Sequence, residues 1–570
     1  MAPIELKKDV SVVLAGAAGQ GIQTVEHVLT RVLKLSGYYT FSFTEFMSRI
    51  RGGINSTEIR VASEPVNAFV NRIDILCVFH AKAIPHLKDR LSKDTIVIGA
   101  EENIKDAESD NTFDVPFIDI ASDVGNRVYA NTVAVGLLAS LLGVEQENVS
   151  SHLETYFGDR SEDIVEANLE AGKRGYEIGT DILESGDLGI DIARSDEVTD
   201  DLLLGGSEAV GLGAIAGGCN FICSYPMSPS TGVLVYLAKY GQAFDIVVEQ
   251  AEDEISALNM GLGAASAGGR AIVTTSGGGF ALMNETLSLA GVAELPAVIH
   301  LAQRPGPGTG MPTRTEQGDL LFALFGGHGE FPRAILAPGT AADAFYLTQH
   351  AFNLAAKYQV PVIVMTDQYL IDSVHSLRDL PTDDLEIERH IVETNADYKR
   401  YAITESGVSP RGIPGYGQGL VVNDSHVHDE AGHMTENFDM RVKMNEKRLR
   451  KLEGLKEDAI APELTGAEEY KHLVIGWGTT YHGLQEALQE LDRDDVALLY
   501  CKQVYPLHSK VAEHIKQAER TIVVENNATG QFAKLIKMET GLEVDDHIRK
   551  YNGLPFAVEE LVAALEEKLA

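Results

Sequence analysis

One stretch limits the possible folds of this chain more than any other. From Cys223 to Gly279 it opens CSYPMSPSTGV, continues through VVEQAEDEISALNMGLGAASAGG and closes on AIVTTSGGGF. A proline-punctuated loop, a helix with carboxylates at its start and an apolar, β-branched run ending in glycines follow one another. Such an alternation of strands and helices calls for a parallel sheet with crossover connections. In an open sheet of that kind ligands bind at the carboxyl ends of the strands. The stretch is therefore expected to set one acid beside a ligand, as half of an active site.

At 570 residues the chain is long enough for three or four domains, each with its own core. Its 84 Asp and Glu against 47 Lys and Arg give a formal charge of -37. That excess argues against nucleic acid or an anionic membrane as the main partner, since both are negative themselves. Cys77, Cys219, Cys223 and Cys501 are too few and scattered for a disulfide framework, which favours a reducing compartment. An iron-sulfur cluster normally takes four thiolates, and CNFIC has no second pair to join it. The opening MAPIELKKDVSVVLAG lacks the apolar region of a signal peptide, and no run approaches the roughly 18 apolar residues of a membrane span. A soluble cytoplasmic protein is expected.

DVSVVLAGAAGQGIQTVEHVLTRVLKLSG reads as strand, glycine turn and amphipathic helix. Gly16, Gly19 and Gly21 form a GxxGxG variant that leaves N–H groups at the helix start, either for an anion or only to pack strand on helix. Arg49, Arg51, Gly52 and Gly53 in SRIRGG suit a phosphate or a basic turn that meets a partner equally well. The runs IDILCVF, DTIVIGA and NTVAVGLLASLLGV continue the α/β alternation, and the acidic stretch SGDLGIDIARSDEVTDD marks the clearest boundary. Residues 1–190 form the first domain on this reading, 200–375 the second, 376–466 a polar connecting segment and 467–570 the last domain. Small residues in GSEAVGLGAIAGGC predict a helix packed very close to a neighbour.

GSEAVGLGAIAGGCNFICSYPMSPST, EDEISALNMGLGAASAGGRAIVTTSGGGFALMNE and QRPGPGTGMPTRTEQGDL resemble the α subunit of 2-oxoacid:ferredoxin oxidoreductases. GAAGQGIQT and RIRGGINS resemble the γ domain fused at the N-terminus of some of these subunits, so the resemblance spans nearly the whole chain. It implies an α/β, multi-domain protein: a γ-type α/β domain, a doubly wound domain that binds the pyrimidine of thiamine diphosphate, and a C-terminal domain similar to that of transketolase-like enzymes. YKHLVIGWGTTYHGL and RTIVVENNATGQFAKLI carry the last of these, with a role in architecture and subunit contact.

Thiamine chemistry asks for a single buried carboxyl to share a proton with the pyrimidine N1′. Glu254 matches the family's activating Glu and is followed by ISALNMGLGAA, while Glu249, Glu252 and Asp253 are its rivals. A carboxyl among apolar neighbours favours its protonated form. Gly277 and Gly278 are cofactor-binding candidates with Glu254. YPMSPST matches a family signature usually written YPITPST, with Met227 and Ser228 in place of Ile and Thr. Ser228 keeps a hydroxyl for the substrate, and Tyr225, Pro226 and Thr231 are its neighbours in that role; read without the family, the segment is a proline-fixed turn with an N-capping Ser or Thr. Arg304 and Arg314 are candidates for gripping the substrate carboxylates, since a guanidinium fork holds both oxygens. A loop-bracing salt bridge to Glu316 or Asp319 is the plainer reading of each arginine. His328 reads as a turn residue, and His426, His428, His433 and Asp429 as a polar loop rather than a zinc site.

The sequence contains no GDG run of the kind that holds Mg²⁺ and the diphosphate in thiamine enzymes. The resemblance therefore implies a β subunit that carries Mg²⁺, the diphosphate site and a [4Fe-4S] cluster, in an (αβ)₂ heterotetramer that reduces ferredoxin. 2-Oxoglutarate with coenzyme A is the expected substrate pair, ahead of pyruvate, branched-chain 2-oxoacids and indolepyruvate. A non-catalytic assembly protein and a nucleotide-dependent dehydrogenase are the readings from other classes.

Overall fold

The computed structural model describes residues 4–6, 9–17, 20–47, 53–185, 188–190 and 192–570. Gly19, Arg49, Arg51 and Gly52 lie outside them. The chain forms two compact units, Met1–Leu204 with Ser373–Leu380, and Gly205–Asp372 with Pro381–Ala570. No helix among the described residues is long and apolar enough to cross a membrane.

The first unit is built on an eight-stranded sheet. Its spatial order is Asn111–Asp114, Ile96–Gly99, Ile75–Val78, Asp9–Ala17, Ile54–Ala62, Tyr39–Glu45, Ser373–Leu377 and Leu202–Gly205. The first four strands are mutually parallel, and Ile54–Ala62 runs antiparallel to Asp9–Ala17. Period-2 alternation decides the faces: Val10, Val12 and Leu14 enter the larger core, which includes Val25 and Leu29 of the helix Ile22–Leu35, and Val13 and Ala15 enter the smaller one. Gly21 starts that helix at φ 74°, a left-handed conformation that favours glycine.

The strand Ser373–Leu377 corrects the reading of a polar connecting segment beginning at residue 376. It pairs antiparallel with Tyr39–Glu45, setting Ser373 opposite Phe43 and His375 opposite Phe41. Five residues, SVHSL, are too short and polar to announce a strand against a distant sheet.

The second unit contains two sheets. The larger has the order Val247–Gln250, Phe221–Ser224, Ala271–Thr275, Ala297–Gln303, Pro361–Asp367, Ala334–Leu336 and Gln503–Tyr505. All of its pairings are parallel except the last. Ala297–Gln303 and Pro361–Asp367 are buried along their whole length, as expected of central strands covered on both faces. The helix Gly206–Ala216 packs against Ala341–Tyr358 closely enough that a Cβ on Gly213 would lie 2.3 Å from the Phe345 carbonyl oxygen, the packing its small residues predict.

The smaller sheet runs Glu463–Gly466, Val496–Cys501, His472–Trp477, Arg520–Glu525 and Asp546–Arg549. The run ALLYCKQVYPL divides between the sheets: Val496–Cys501 stays in the smaller one and Gln503–Tyr505 closes the edge of the larger.

The helix Phe438–Glu457, basic in sequence, is not simply a solvated connector. Lys447 and Lys451 are fully buried and hold Glu294, at 2.7 and 2.5 Å. Buried Arg400 donates to the Glu294 carbonyl at 2.7 Å and to Gln359 Oε1 at 2.8 Å. Burial works against the charged form of Glu294, but the two ammonium groups override it and hold the carboxyl well below the usual range.

Candidate functional site

Strand order locates the site. Phe221–Ser224 has Val247–Gln250 on one side and Ala271–Thr275 on the other, so successive connections leave in opposite directions. A crevice opens at the carboxyl ends of strands where the winding reverses. The segments leaving those ends are Tyr225–Ser230, Ala251–Asp253, the glycine turn after Thr275 and the loop after Gln303.

The four acids after Val248 separate cleanly. Glu249 and Glu252 are exposed, and Asp253 caps the helix Glu254–Ser266 by accepting from the Ser256 N–H at 2.7 Å. Glu254 is only 3% exposed, and its Oε1 is buried with no hydrogen-bond partner. What lets it sit there is Gly279: a Cβ at that position would lie 2.7 Å from both Cγ and Oε1 of Glu254 and 2.2 Å from Thr275 Oγ1.

The neighbouring glycines meet other atoms. A Cβ on Gly277 would fall 2.4 Å from Asp319 Oδ2, whereas one on Gly278 would approach nothing closer than the Gly308 carbonyl oxygen and Met227 Sδ at 4.0 Å. Asp319 Oδ2 and Ser276 Oγ are, like Glu254 Oε1, buried without partners. Burial pushes the Asp319 carboxyl up to about 6, with Arg304 opposing. Ser276 is not among the residues singled out from sequence, and Asp319 reads there only as a brace, although both bring a buried, unpartnered oxygen to this end of the sheet. The available signal was position, since Ser276 ends a strand directly before three glycines and Asp319 closes the TEQGD loop.

In the YPMSPST loop Tyr225 and Ser228 are exposed and Pro226 is half-buried. Ser230 occupies the N-cap position of the helix Thr231–Tyr240, but its hydroxyl turns back to the Met227 carbonyl at 2.7 Å, so the expected side-chain cap does not form. Thr231 is the first helical residue and is half-buried. Arg304, directly after Ala297–Gln303, donates from Nη1 to the Ser228 carbonyl at 2.7 Å. One arginine thus ties the loop to the strand end with most of its five N–H groups left over. Burial lowers its pKa, offset in part by Asp319.

Arg314 is anchored differently. A Cβ on Gly553 would be 3.3 Å from Arg314 Cβ, and the Thr315 N–H donates to the Gly553 carbonyl at 3.1 Å. Gln317 exchanges bonds with Asn526 at 2.6 and 2.9 Å and donates to the Trp477 carbonyl at 2.9 Å. Gln531 donates to the Gly318 carbonyl at 2.6 Å and accepts from Leu321 N–H at 2.9 Å. The GWGTT and ENNATGQ turns therefore clamp the arginine-bearing loop from the smaller sheet. Beneath it, Thr274 and Thr366 hold the two nitrogens of His300 at 2.7 and 2.9 Å, and burial takes that imidazole down to about 3. It is a neutral brace in the sheet.

Among the other candidates, His328 is exposed in its turn. His426 and His433 pair with Asp424 and Asp429, whereas His428 is buried with its ring 3.9 Å from that of Tyr401. Among the described residues no three His, Cys, Asp or Glu side chains form a group that could hold a metal. All four cysteines are buried free thiols, pushed up to about 12 by burial.

A buried carboxyl with a free oxygen, beside a glycine whose Cβ position it fills, fits the protonatable ring nitrogen of a bound cofactor. Residues 212–447 match the protein family described as "Pyruvate flavodoxin/ferredoxin oxidoreductase, thiamine diP-bdg", and residues 11–178 match "Pyruvate ferredoxin/flavodoxin oxidoreductase". The chain is 32% identical to the 2-oxoacid:ferredoxin oxidoreductase subunit alpha of Sulfolobus sp, over 97% of this chain and 96% of that one. It is 27% identical to the 2-oxoglutarate oxidoreductase subunit KorA of Mycobacterium tuberculosis, over 99% and 92%. A solved structure of 2-oxoglutarate:ferredoxin oxidoreductase from Magnetococcus marinus, with 2-oxoglutarate, coenzyme A and succinyl-CoA bound, superposes with a TM-score of 0.92 at 30% identity, covering 99% of this chain and 100% of that one.

Proposed function

The chain belongs to the α-subunit family of the 2-oxoacid:ferredoxin oxidoreductases, and we propose that it supplies the thiamine-activating and substrate-gripping half of an enzyme that acts on 2-oxoglutarate. The observation that carries this reading is Glu254, buried with an unpartnered oxygen at the switch point of the sheet. The net reaction joins 2-oxoglutarate and coenzyme A to give succinyl-CoA and CO₂, with two electrons passed singly to ferredoxin and one proton released. The choice of 2-oxoglutarate is supported by the Magnetococcus marinus and Mycobacterium tuberculosis relatives and by the two arginines after Gln303, one for each carboxylate of a dicarboxylic oxoacid.

Thiamine diphosphate, when bound, supplies the carbon nucleophile for the 2-oxo carbon and the electron sink for decarboxylation. Glu254 holds the pyrimidine by sharing a proton at N1′, and its burial keeps water from competing for that proton. Gly277 and Gly278 leave room for close approach beside it. Arg304, already fixed to the Ser228 carbonyl, directs its remaining N–H groups to the 1-carboxylate, and Arg314 takes the distal one. Tyr225, Pro226, Ser228 and Thr231 shape the wall opposite. The Mg²⁺–diphosphate site and a [4Fe-4S] cluster are assigned to a β subunit, in agreement with the missing GDG run and four buried thiols. An (αβ)₂ assembly completes the proposal.

The test is purification with the neighbouring β subunit and an anoxic assay of viologen reduction by each of several 2-oxoacids with coenzyme A. 2-Oxoglutarate is expected to give the highest kcat/KM. Glu254→Ala is expected to lower turnover by about 10²–10⁴-fold with assembly intact. Normal turnover in that variant removes Glu254 from the mechanism, and a preference for pyruvate overturns the substrate assignment alone.

A further inference from the structure

A cavity of about 210 Å³ lies between the helices Asn284–Val292 and Phe438–Glu457, and none of the residues assigned to the candidate site lines it. Arg441, Asn445 and Arg448, spaced i, i+4 and i+7, present one face of the longer helix to it. Ser288 lies on the facing helix, with its hydroxyl donating to the Asn284 carbonyl and accepting from the His328 N–H.

The floor of this cavity is not electrically balanced. Arg448 is 9% exposed, its Nε is buried with no hydrogen-bond partner, and it forms no ion pair among the described residues. The buried carboxylate in its surroundings, Glu294, is already taken by Lys447 and Lys451. Burial drives the Arg448 pKa down, and repulsion from Arg441 adds to this against the attraction of Glu294. The two carboxylates in the lining, Glu285 and Glu330, are exposed, and neither reaches a guanidinium within ion-pair distance among the described residues. An unpaired guanidinium held out of water is costly unless a ligand completes it.

We propose that this cavity binds a small oxoanion, a phosphate or carboxylate group held by Arg448 and Arg441, with the Asn445 amide as a further donor. A guanidinium pair offers two forks, which suits a group with several acceptor oxygens. The volume has room for inorganic phosphate or a short dicarboxylate, and the rim carboxylates select against bulky polyanions.

The experiment uses the full-length chain with its partner subunit and titrates inorganic phosphate and malonate by calorimetry and thermal melting, with sodium chloride matched for ionic strength. One of the two anions gives saturable binding and raises the melting temperature above the chloride control; the better one identifies the group. Arg448→Met, which keeps the aliphatic stem, loses at least about tenfold in affinity while its ligand-free melting temperature equals or exceeds that of the wild type. Arg441→Met, at an exposed position, also loses about tenfold and serves as the readout if Arg448→Met does not fold. No saturable response to either anion overturns the proposal, as does wild-type affinity in whichever of the two variants folds.

Discussion

Replacing Gly279 by alanine tests the site through its packing rather than its chemistry. The added Cβ would lie 2.2 Å from Thr275 Oγ1 and 2.7 Å from Cγ and Oε1 of Glu254. Ordinary carbon contacts are about 3.5–4.0 Å, so something must yield by roughly 1 Å. Thr275 is β-branched and ends a buried strand, so its side chain is stiff. The longer Glu254 side chain gives way at its own contact, and the 2.2 Å overlap with Thr275 Oγ1 is relieved by a shift of the backbone at residue 279. Overpacking of this kind costs about 1–3 kcal/mol, and a displacement of about 1 Å in a positioned catalytic group costs about 10²-fold in turnover. Gly279→Ala is therefore expected to reduce 2-oxoglutarate-dependent viologen reduction about 10²-fold and to lower the melting temperature only modestly. Gly278→Ala is the control: with no protein atom closer than 4.0 Å, its stability stays at the wild-type level, and any effect appears as weaker thiamine diphosphate binding. Turnover of Gly279→Ala within twofold of wild type would refute the claim that the glycine exists to seat Glu254.

Three further outcomes are expected. Arg304→Met removes both a cation and the bond to the Ser228 carbonyl, so kcat/KM falls about 10–100-fold, and Arg304→Lys restores little because it lacks the fork; rescue by lysine would argue against two-point binding. Glu294→Ala leaves Lys447 and Lys451 buried without their carboxylate and costs about 3–5 kcal/mol, read as a lowered melting temperature; an unchanged melt would show that the lysines find other partners. Burial raises the Asp367 carboxyl from 3.8 to about 6 against hydrogen bonds from Thr479 and the Leu370 N–H. Because the folded-state value is the higher one, its stabilising contribution is present below about pH 4 and is lost as pH rises through about 6. Between those limits Asp367→Asn gains up to about 3 kcal/mol on the wild type, and parallel melting-temperature profiles for the two proteins would contradict this.

The parts of this fold that a linear reading reaches are those where one local pattern has one tertiary outcome. VSVVLA alternates and becomes a two-faced central strand, AIVTT runs into glycines and becomes a strand end, and the small residues around Gly213 become a close helix contact. Glu254 could be singled out because it matches the activating Glu of the family the chain resembles and is followed by the small and apolar run ISALNMGLGAA. Other features depend on distant partners. Nothing in SVHSL points to Tyr39–Glu45, and nothing in MRVKMNEKRLRKLEGLK separates Lys447, Arg448 and Lys451, which are buried, from Lys443 and Glu446, which face water. Charge usually marks solvent, so burial of those three is invisible until Glu294 is placed beside two of them. The Gln317–Asn526 clamp is hidden for the same reason, its halves being 209 positions apart.

The excursion of Ser373–Leu380 into the first unit has a topological consequence. The chain crosses between the units near Leu204, again after Asp372 and a third time before Pro381, so a single proteolytic cut at the first crossing releases nothing. A polypeptide ended at Leu204 would be missing a strand from its sheet, leaving Tyr39–Glu45 with bare N–H and carbonyl groups where Ser373–Leu377 belongs. The first unit thus cannot be trimmed off as a terminal appendage: its last sheet component is made only after the ribosome has finished six of the twelve strands of the second.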